Sequence, residues 1–203
     1  MKTKIKAIAC LILLLLVASV TLSACWSLYY LSYHPDDYSC YYSYSFVYHD
    51  AYCEYVSLTR GETNFVILDE INGIPVTGLG KNTDITSDFH VLVHTDTPEG
   101  AHSWTWRKDE YPQPDENTIV IDGRCQTVVV NLHLGANISN IRTNERWYHG
   151  YYITENHHEF TDVVLVKVVF NVTVSEKNAT FFAEDGKLYY KDSGELFEGF
   201  LYE

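Results

Sequence analysis

His90 and His94 stand four residues apart in a run rich in β-branched residues, with Asp96 and His102 close behind. Residues at even spacing in a strand share a face, so the two imidazoles could offer a metal two nitrogen ligands. Zinc takes three or four converging N, S or O ligands, and nothing in this spacing fixes the rest. His157-His158-Glu159 is weaker still, because adjacent strand residues face opposite ways. Both groups read as polar histidines of strands and loops. The acidic pairs Asp109-Glu110 and Asp115-Glu116 flank Pro112 and Pro114 and read as a solvated loop, since paired carboxylates for glycoside hydrolysis need a set separation across a cleft. Gly78-x-Gly80 lacks the third glycine and following helix of a dinucleotide site. No Gly-x-Ser-x-Gly elbow, His-Glu-x-x-His zinc motif or phosphate-binding loop occurs, and Asp185-Gly186 and Asp192-x-Gly194 miss the spacing of a calcium loop. The expectation is therefore no catalytic residue, no metal, no cofactor and no enzymatic activity.

One thiol is set apart by its context. Lys2, Lys4 and Lys6 open the chain, an apolar run extends from Ala7 to Leu22, and Ser23 and Ala24 lead to Cys25. That is the layout of an export signal, and the run is shorter than the roughly 20 apolar residues a membrane-spanning helix needs. Leu22-Ser23-Ala24-Cys25 resembles the lipobox of bacterial lipoproteins. The resemblance implies that residues 1–24 are a lipoprotein signal peptide, that Cys25 is the lipidation site, and that the mature protein is extracytoplasmic, held at the cell surface by its N-terminal lipid. Two acyl chains hold firmly where one binds only marginally. Cys10 would be discarded with the leader. Asn137, Asn171 and Asn178 open Asn-x-Ser/Thr sequons, a coincidence in a lipobox-bearing bacterial protein.

Removing residues 1–24 takes three of the 14 basic residues and none of the 27 acidic ones, which moves the net charge from -13 to -16. Such a surface repels phosphate backbones and anionic headgroups, so nucleic acid is excluded as a partner. Cys40, Cys53 and Cys125 remain beside Cys25. In an oxidising exterior Cys40 and Cys53 could pair across a short loop, a closure that contributes on the order of 3 kcal/mol; the alternative is that all three are buried free thiols.

Ten of the 17 tyrosines lie between residues 26 and 55. In Tyr42-Ser43-Tyr44-Ser45-Phe46-Val47-Tyr48 the rings recur at every second position, which in a strand puts them on one face. Tyr42, Tyr44 and Tyr48 are thus candidate ligand-stacking aromatics, or else part of a cap closing the end of a β core. Beyond them short apolar runs alternate with turn residues. Phe65 to Leu68 precedes Asn72-Gly73 and Pro75; Val91 to Val93 precedes Thr97-Pro98-Glu99-Gly100; Thr118 to Ile121 precedes Asp122-Gly123; Thr127 to Leu134 and Val163 to Val174 follow. Asn-Gly, Asp-Gly and Pro between β-rich runs signal tight turns. The tail from Ala179 reads as a β-meander turning at Asp185-Gly186 and Asp192-Ser193-Gly194. Residues 101–117, with Trp104 and Trp106 as further candidate stacking rings, read as a long loop or insertion.

The segment Ile67-Leu68-Asp69-Glu70-Ile71-Asn72-Gly73-Ile74-Pro75-Val76-Thr77-Gly78-Leu79-Gly80 resembles the opening repeat of the BspA-like leucine-rich repeat proteins. Val129 to Ile141 is similar to that family's strand followed by a Pro-x-x-Val-x-x-Ile turn, with Gly135 where proline is usual. Val168 to Asp192 is similar to its terminal repeat. The resemblance covers about a third of the mature chain, with irregular spacing between the three segments. It implies a mainly β, short, degenerate leucine-rich-repeat-type solenoid over residues 61–203, an aromatic N-terminal cap at 25–60 and a C-terminal β-meander. One strand-turn unit cannot bury its own apolar face, so neighbours must stack. The family's members are surface proteins of adhesion and protein binding. The expected function is noncovalent recognition of a protein or matrix ligand; the alternative is carbohydrate binding through the exposed Trp and Tyr rings.

Overall fold

The computed structural model describes residues 29–45, 48–59, 61–80, 88–93, 102–107, 119–120, 123–156 and 159–203. The expected leader, Cys25, His94, Asp96, His157-His158 and both acidic pairs of the 109–116 stretch lie outside the described residues, as do the side chains of Trp104, Trp106 and Cys125.

The protein is mainly β, with no helix among the described residues. In chain order the strands are β1 (Tyr29–Tyr33), β2 (Tyr38–Ser45), β3 (Asp50–Leu58), β4 (Asn64–Val66), β5 (Glu70–Ile71), β6 (Ile74–Leu79), β7 (His90–Val93) and β8 (His102–Trp106). They continue as β9 (Ile119–Val120), β10 (Gly123–Leu134), β11 (Asn140–Ile141), β12 (Tyr148–Asn156), β13 (Glu159–Val174), β14 (Phe181–Glu184) and β15 (Lys187–Tyr190). One sheet runs β1-β2-β3-β6-β11, with β5 on β6 and β7 on β3; a second runs β4-β10-β13-β12-β8, with β9 on β13; β14 and β15 form a hairpin.

The pairing order follows from the residue pattern. β4, β10 and β13 lie parallel and in register, so that Asn64, Asn131 and Asn171 form one row, Phe65, Leu132 and Val172 the next, and Val66, His133 and Thr173 the third. The middle row points inward and is buried. The outer row of asparagines bonds side chain to side chain, Asn171 Nδ2 to Asn131 Oδ1 at 2.8 Å and Asn131 Nδ2 to Asn64 Oδ1 at 2.9 Å. Identical residues at the strand repeat can do this because strand spacing matches amide length. The other sheet repeats the arrangement, with β11 parallel to β6 and β3 parallel to both β6 and β7. Inward residues of both sheets, among them Val56, Leu58, Val76 and Leu79 from one and Phe65, Leu132, Leu134 and Phe170 from the other, form one apolar cluster.

The turns hold the rows in place. Asn72-Gly73 and Asp185-Gly186 both have two successive positive φ angles, as tight hairpin turns with this sequence require. The turn after β10 is tight at Gly135, where a Cβ would run into Asp69 Oδ1, the oxygen that accepts the Ala136 N–H. Asn137 Nδ2 donates to Asp69 O (2.9 Å), and Asn178 Nδ2 in turn donates to Gly135 O (2.8 Å) and Ile138 O (2.9 Å). Asn178 Oδ1 also accepts from the N–H groups of Thr180 and Phe181. This side chain is buried and wholly engaged, so its sequon is closed to modification in the folded protein.

Two expectations are corrected. Residues 102–106 are not loop but β8, which pairs antiparallel with β12 from His102↔Tyr152 to Trp106↔Tyr148. The alternating aromatic strand ends at Ser45, and Tyr48 sits in the following turn. The C-terminal meander is present as the β14–β15 hairpin plus a bridge from Tyr189 to Leu196.

Asn178→Ala removes four hydrogen bonds at a buried site and is expected to lower unfolding free energy by about 3 kcal/mol, whereas Asn171→Ala, at the exposed end of the ladder, costs about 1 kcal/mol. Urea unfolding of the two variants measures this, and equal costs would contradict the ranking.

Candidate functional site

The outer face of the first sheet carries a row of rings in which Tyr41, Tyr55 and His90 are directly opposed and His34, just past the end of β1, sits against Tyr41. In β2 Cys40 and Tyr42 face the core, so Tyr41 faces out; in β3 Cys53 and Val56 both face the core, which the extra residue of a β-bulge allows. The bulge sets Tyr41 opposite Tyr55, and the parallel register of β3 and β7 sets Tyr55 opposite His90. Ring centroids lie 5.6 Å apart for His34–Tyr41, 5.5 Å for Tyr41–Tyr55 and 4.6 Å for Tyr55–His90. Tyr41 is 37% exposed and His34 and His90 are exposed. Burial pushes the Tyr55 hydroxyl above its usual pKa, against a lowering hydrogen bond to Ser57. Cross-strand aromatic pairs contribute roughly 0.5–1.5 kcal/mol each beyond area burial, so this row is a fixed surface. At these spacings, with interplanar angles of 31° and 39° inside the Tyr41–Tyr55–His90 segment, neighbours partly cover one another's faces.

The row ends at a cleft of 340 Å³ bordered by Tyr55, His90, Val91, Leu92, Thr105, Asn144, Arg146 and His149. Arg146 Nη1 donates to Thr105 O (2.8 Å), while Arg107 Nε donates to Asn144 O (2.7 Å); the two guanidinium groups thereby tie β8 to the segment before β12. Arg142 is paired with Asp88 at 2.7 Å. His149, on β12 between Thr105 and Val166, is only 3% exposed, and its Nδ1 has no hydrogen-bond partner among the described residues. Its pKa is pushed down to about 4, first by burial and then by the nearby His90. Among the described residues, those lining the cleft around this buried imidazole include an arginine and no carboxylate. Larger hollows lie elsewhere. One of 520 Å³ lies over Trp147 and Phe200, where Glu145 and Glu198 accompany Arg107. Another of 370 Å³ lies over the asparagine ladder, whose amides are already bonded to one another.

The candidates named from sequence are dispersed. Tyr42 is fully buried in the core and cannot stack on a ligand: the bulge in β3 and the inward facing of Cys40 and Cys53 put its ring inside. Tyr44 is half-buried, its hydroxyl 3.0 Å from His49 Nδ1, and Tyr48 is 73% exposed. Cys40 and Cys53 stand as free thiols, both buried and interacting with each other, and burial pushes the Cys53 thiol up. No group of three His, Cys, Asp or Glu among the described residues is placed to hold a metal ion. Of the histidines weighed as ligands, His90 lies at the cleft; His94 and His157-His158 and the side chain of His102 lie outside the described residues. Tyr41, Tyr55, Arg146 and His149 were not singled out from sequence. The inward Cys40 and Cys53 would have pointed to the two tyrosines, but nothing local marks Arg146 or His149.

No family model matches the sequence, and neither a curated protein nor a solved structure matches it.

A histidine held neutral by burial is a stability liability in acid. The unfolded chain protonates it near pH 6.5 and the folded chain only near pH 4, so stability falls as pH drops through that window, by at most roughly 3 kcal/mol from this group. Urea unfolding at pH 7 and pH 4.5 should give a shallower loss for His149→Gln than for the wild type; the same slope in both would show that His149 charges freely in the folded state.

Proposed function

We propose that this chain is a lipid-anchored, extracytoplasmic binding protein, a short and degenerate BspA-like leucine-rich-repeat-type solenoid that recognises a protein ligand through the ring row His34–Tyr41–Tyr55–His90. Support for the solenoid comes from three strand-turn units whose apolar rows and turn asparagines fall in step. Ile67 N–H donates to His133 O, Ser175 N–H to Leu134 O and Ser139 N–H to Thr77 O, so each unit is bonded to the one before it. The aromatic segment 25–60 acts as the cap. Tyr38 packs its ring edgewise on Phe65 at 6.3 Å and sets its hydroxyl against both Val66 N and Val66 O, at 3.3 and 3.4 Å, which closes the open edge of β4.

The observation that carries the functional reading is the row itself. Tyrosine-rich, preorganised surfaces with little side-chain entropy left to lose are what protein recognition uses. Sugar stacking, the carbohydrate-binding alternative, needs open ring faces, and these rings partly cover theirs. The lipid on Cys25 confines the body to a membrane surface, where a ligand on another cell or in the matrix can meet it. Nothing in this reading requires a cofactor or a catalytic group.

Two measurements test it. Mass spectrometry of the mature polypeptide should give an acylated Cys25 at the N-terminus, and Cys25→Ser should leave the protein unprocessed and without the lipid mass; an unmodified cysteine in the wild type would remove the anchor. On an array of matrix proteins and glycans, Tyr41→Ala/Tyr55→Ala should lower protein capture at least about tenfold, given the 1–2 kcal/mol typical of each lost aromatic anchor. Capture restricted to glycans, or capture of proteins unchanged in the double variant, would overturn the reading.

A further inference from the structure

We propose that the groove over the asparagine ladder is a second binding site, one for a neutral sugar, whose neighbouring hydroxyls bond to the amides of Asn64, Asn131 and Asn171. It lies apart from the ring row and does not rest on the protein-recognition reading.

The ladder's own bonds use only part of what its amides carry. Each amide has two N–H donors and an oxygen with two lone pairs. The bonds run one way: Asn171 donates to Asn131, Asn131 to Asn64, and Asn64 Nδ2 to Glu62 Oε1 at 2.7 Å. One donor of each amide is thereby spent and one remains. Asn171 Oδ1, at the start of the chain, accepts no hydrogen bond among the described residues. Bonds in such a chain polarise one another, and this one ends on a carboxylate. The N–H groups of Asn64, backbone and side chain, and the backbone N–H of Thr63 hold the Glu62 carboxyl below its usual range. Each amide oxygen behind it becomes a better acceptor, and the unmet demand falls at Asn171, where a hydroxyl hydrogen would meet it. Asn64 and Asn171 are both exposed.

The groove has walls that strand register does not require. Asp37 and Tyr38 come from the cap and Glu62 from the connection before β4, while His133 and Thr173 stand in the next outward row of the stack. Asp37 is pinned, because its carbonyl accepts both the N–H and the Oγ1–H of Thr59, at 2.9 and 2.7 Å. His133 Nδ1 lies 2.9 Å from Thr173 Oγ1. A volume of 370 Å³ is at the lower end of the range for small-molecule sites. Sugar hydroxyls each donate and accept, so a planar amide or carboxylate can bond two adjacent ones at once. Val66, 43% exposed beside Tyr38, offers an apolar patch to the C–H face of a pyranose. Groups already held in place lose little freedom on binding. Asp37 and Glu62, in a chain of net charge -13, oppose an anionic ligand. An added peptide strand would need backbone groups of β4 that Glu62 and Tyr38 already hold.

Cellotetraose and maltotetraose are the neutral probes, with tetragalacturonate as the acidic one and the glucosamine tetramer as the cationic one. Each is titrated into the isotope-labelled full chain in detergent micelles while the side-chain amide signals of Asn131 and Asn171 are followed by NMR. At least one neutral probe should shift both signals saturably. Asn171→Ala/Thr173→Val, at two exposed positions and so expected to fold, should weaken that binding at least about tenfold. Unchanged binding in this variant would leave the ladder a purely structural feature and overturn the site. No shift with either neutral probe, or a shift with the acidic or cationic probe alone, overturns the neutral-sugar assignment while leaving the ring row to the array experiment. Loss of the sugar in Tyr41→Ala/Tyr55→Ala would move it to the ring row and overturn the groove as its site.

Discussion

The architecture depends on strands β4, β10 and β13 lying parallel with no slip between them. A shift of one residue would turn Phe65, Leu132 and Val172 outward and bring Asn64, Asn131 and Asn171 into the core, because side chains alternate faces along a strand. Three buried apolar side chains are worth roughly 1.5–3 kcal/mol each, and three buried unpaired amides would cost a similar amount each, so the register has no near competitor. The asparagine ladder adds a second, directional check. Each amide reaches only its counterpart one strand away, and the bonds at 2.8 and 2.9 Å exist in one alignment alone.

From that stack the rest of the molecule is placed. The turns after β4, β10 and β13 lie over one another because their strands do, which lets Asn137 and Asn178 each reach back to the preceding turn. β6 and β11 then continue in parallel and form the second sheet, and β3 joins that sheet along β6 and β7. The bulge in β3 is a local irregularity with a large effect. It keeps Cys53 and Val56 both inward, turns Tyr55 outward opposite Tyr41 and His90, and so produces the only run of rings that reaches the cleft among the described residues.

Much of this was legible in the sequence, and the omissions have physical causes. The turn dipeptides Asn72-Gly73 and Asp185-Gly186 and the apolar runs of β7, β10 and β13 announce themselves, because their chemistry is local. β8 did not, since His102-Ser103-Trp104-Thr105-Trp106 has the aromatic and β-branched content of a strand but sits among prolines and acids that signal a loop. Tyr42 was misjudged for a different reason. Alternation shows which residues share a face, but only the partner strand decides which face is inside, and here Cys40, Ala51 and Cys53 decide it. The cleft was out of reach altogether. Arg146 and His149 come to Tyr55 and His90 through two separate sheets, a proximity set by long-range pairing of β12 with β8 and of β3 with β7, which no local pattern encodes.

The way the edges are finished bears on how the protein can bind. An open strand edge invites another chain to add to the sheet, and β4 ends the second sheet. Its outward polar groups are nevertheless taken: Glu62 Oε1 accepts the N–H groups of Thr63 and Asn64, and Tyr38 holds Val66. On the far side of the stack, where β13 runs past its pairing with β12, the chain closes the edge with its own tail. Val168 donates to Trp147 O, Phe170 to Leu201 O and Val172 to Gly186 O, and Trp147, Phe170 and Phe200 lock that tail through ring contacts of 4.5 to 5.9 Å. With the backbone of the stack satisfied at both of these margins, strand addition has no purchase there. The ring row, by contrast, is built of side chains projecting from a sheet face.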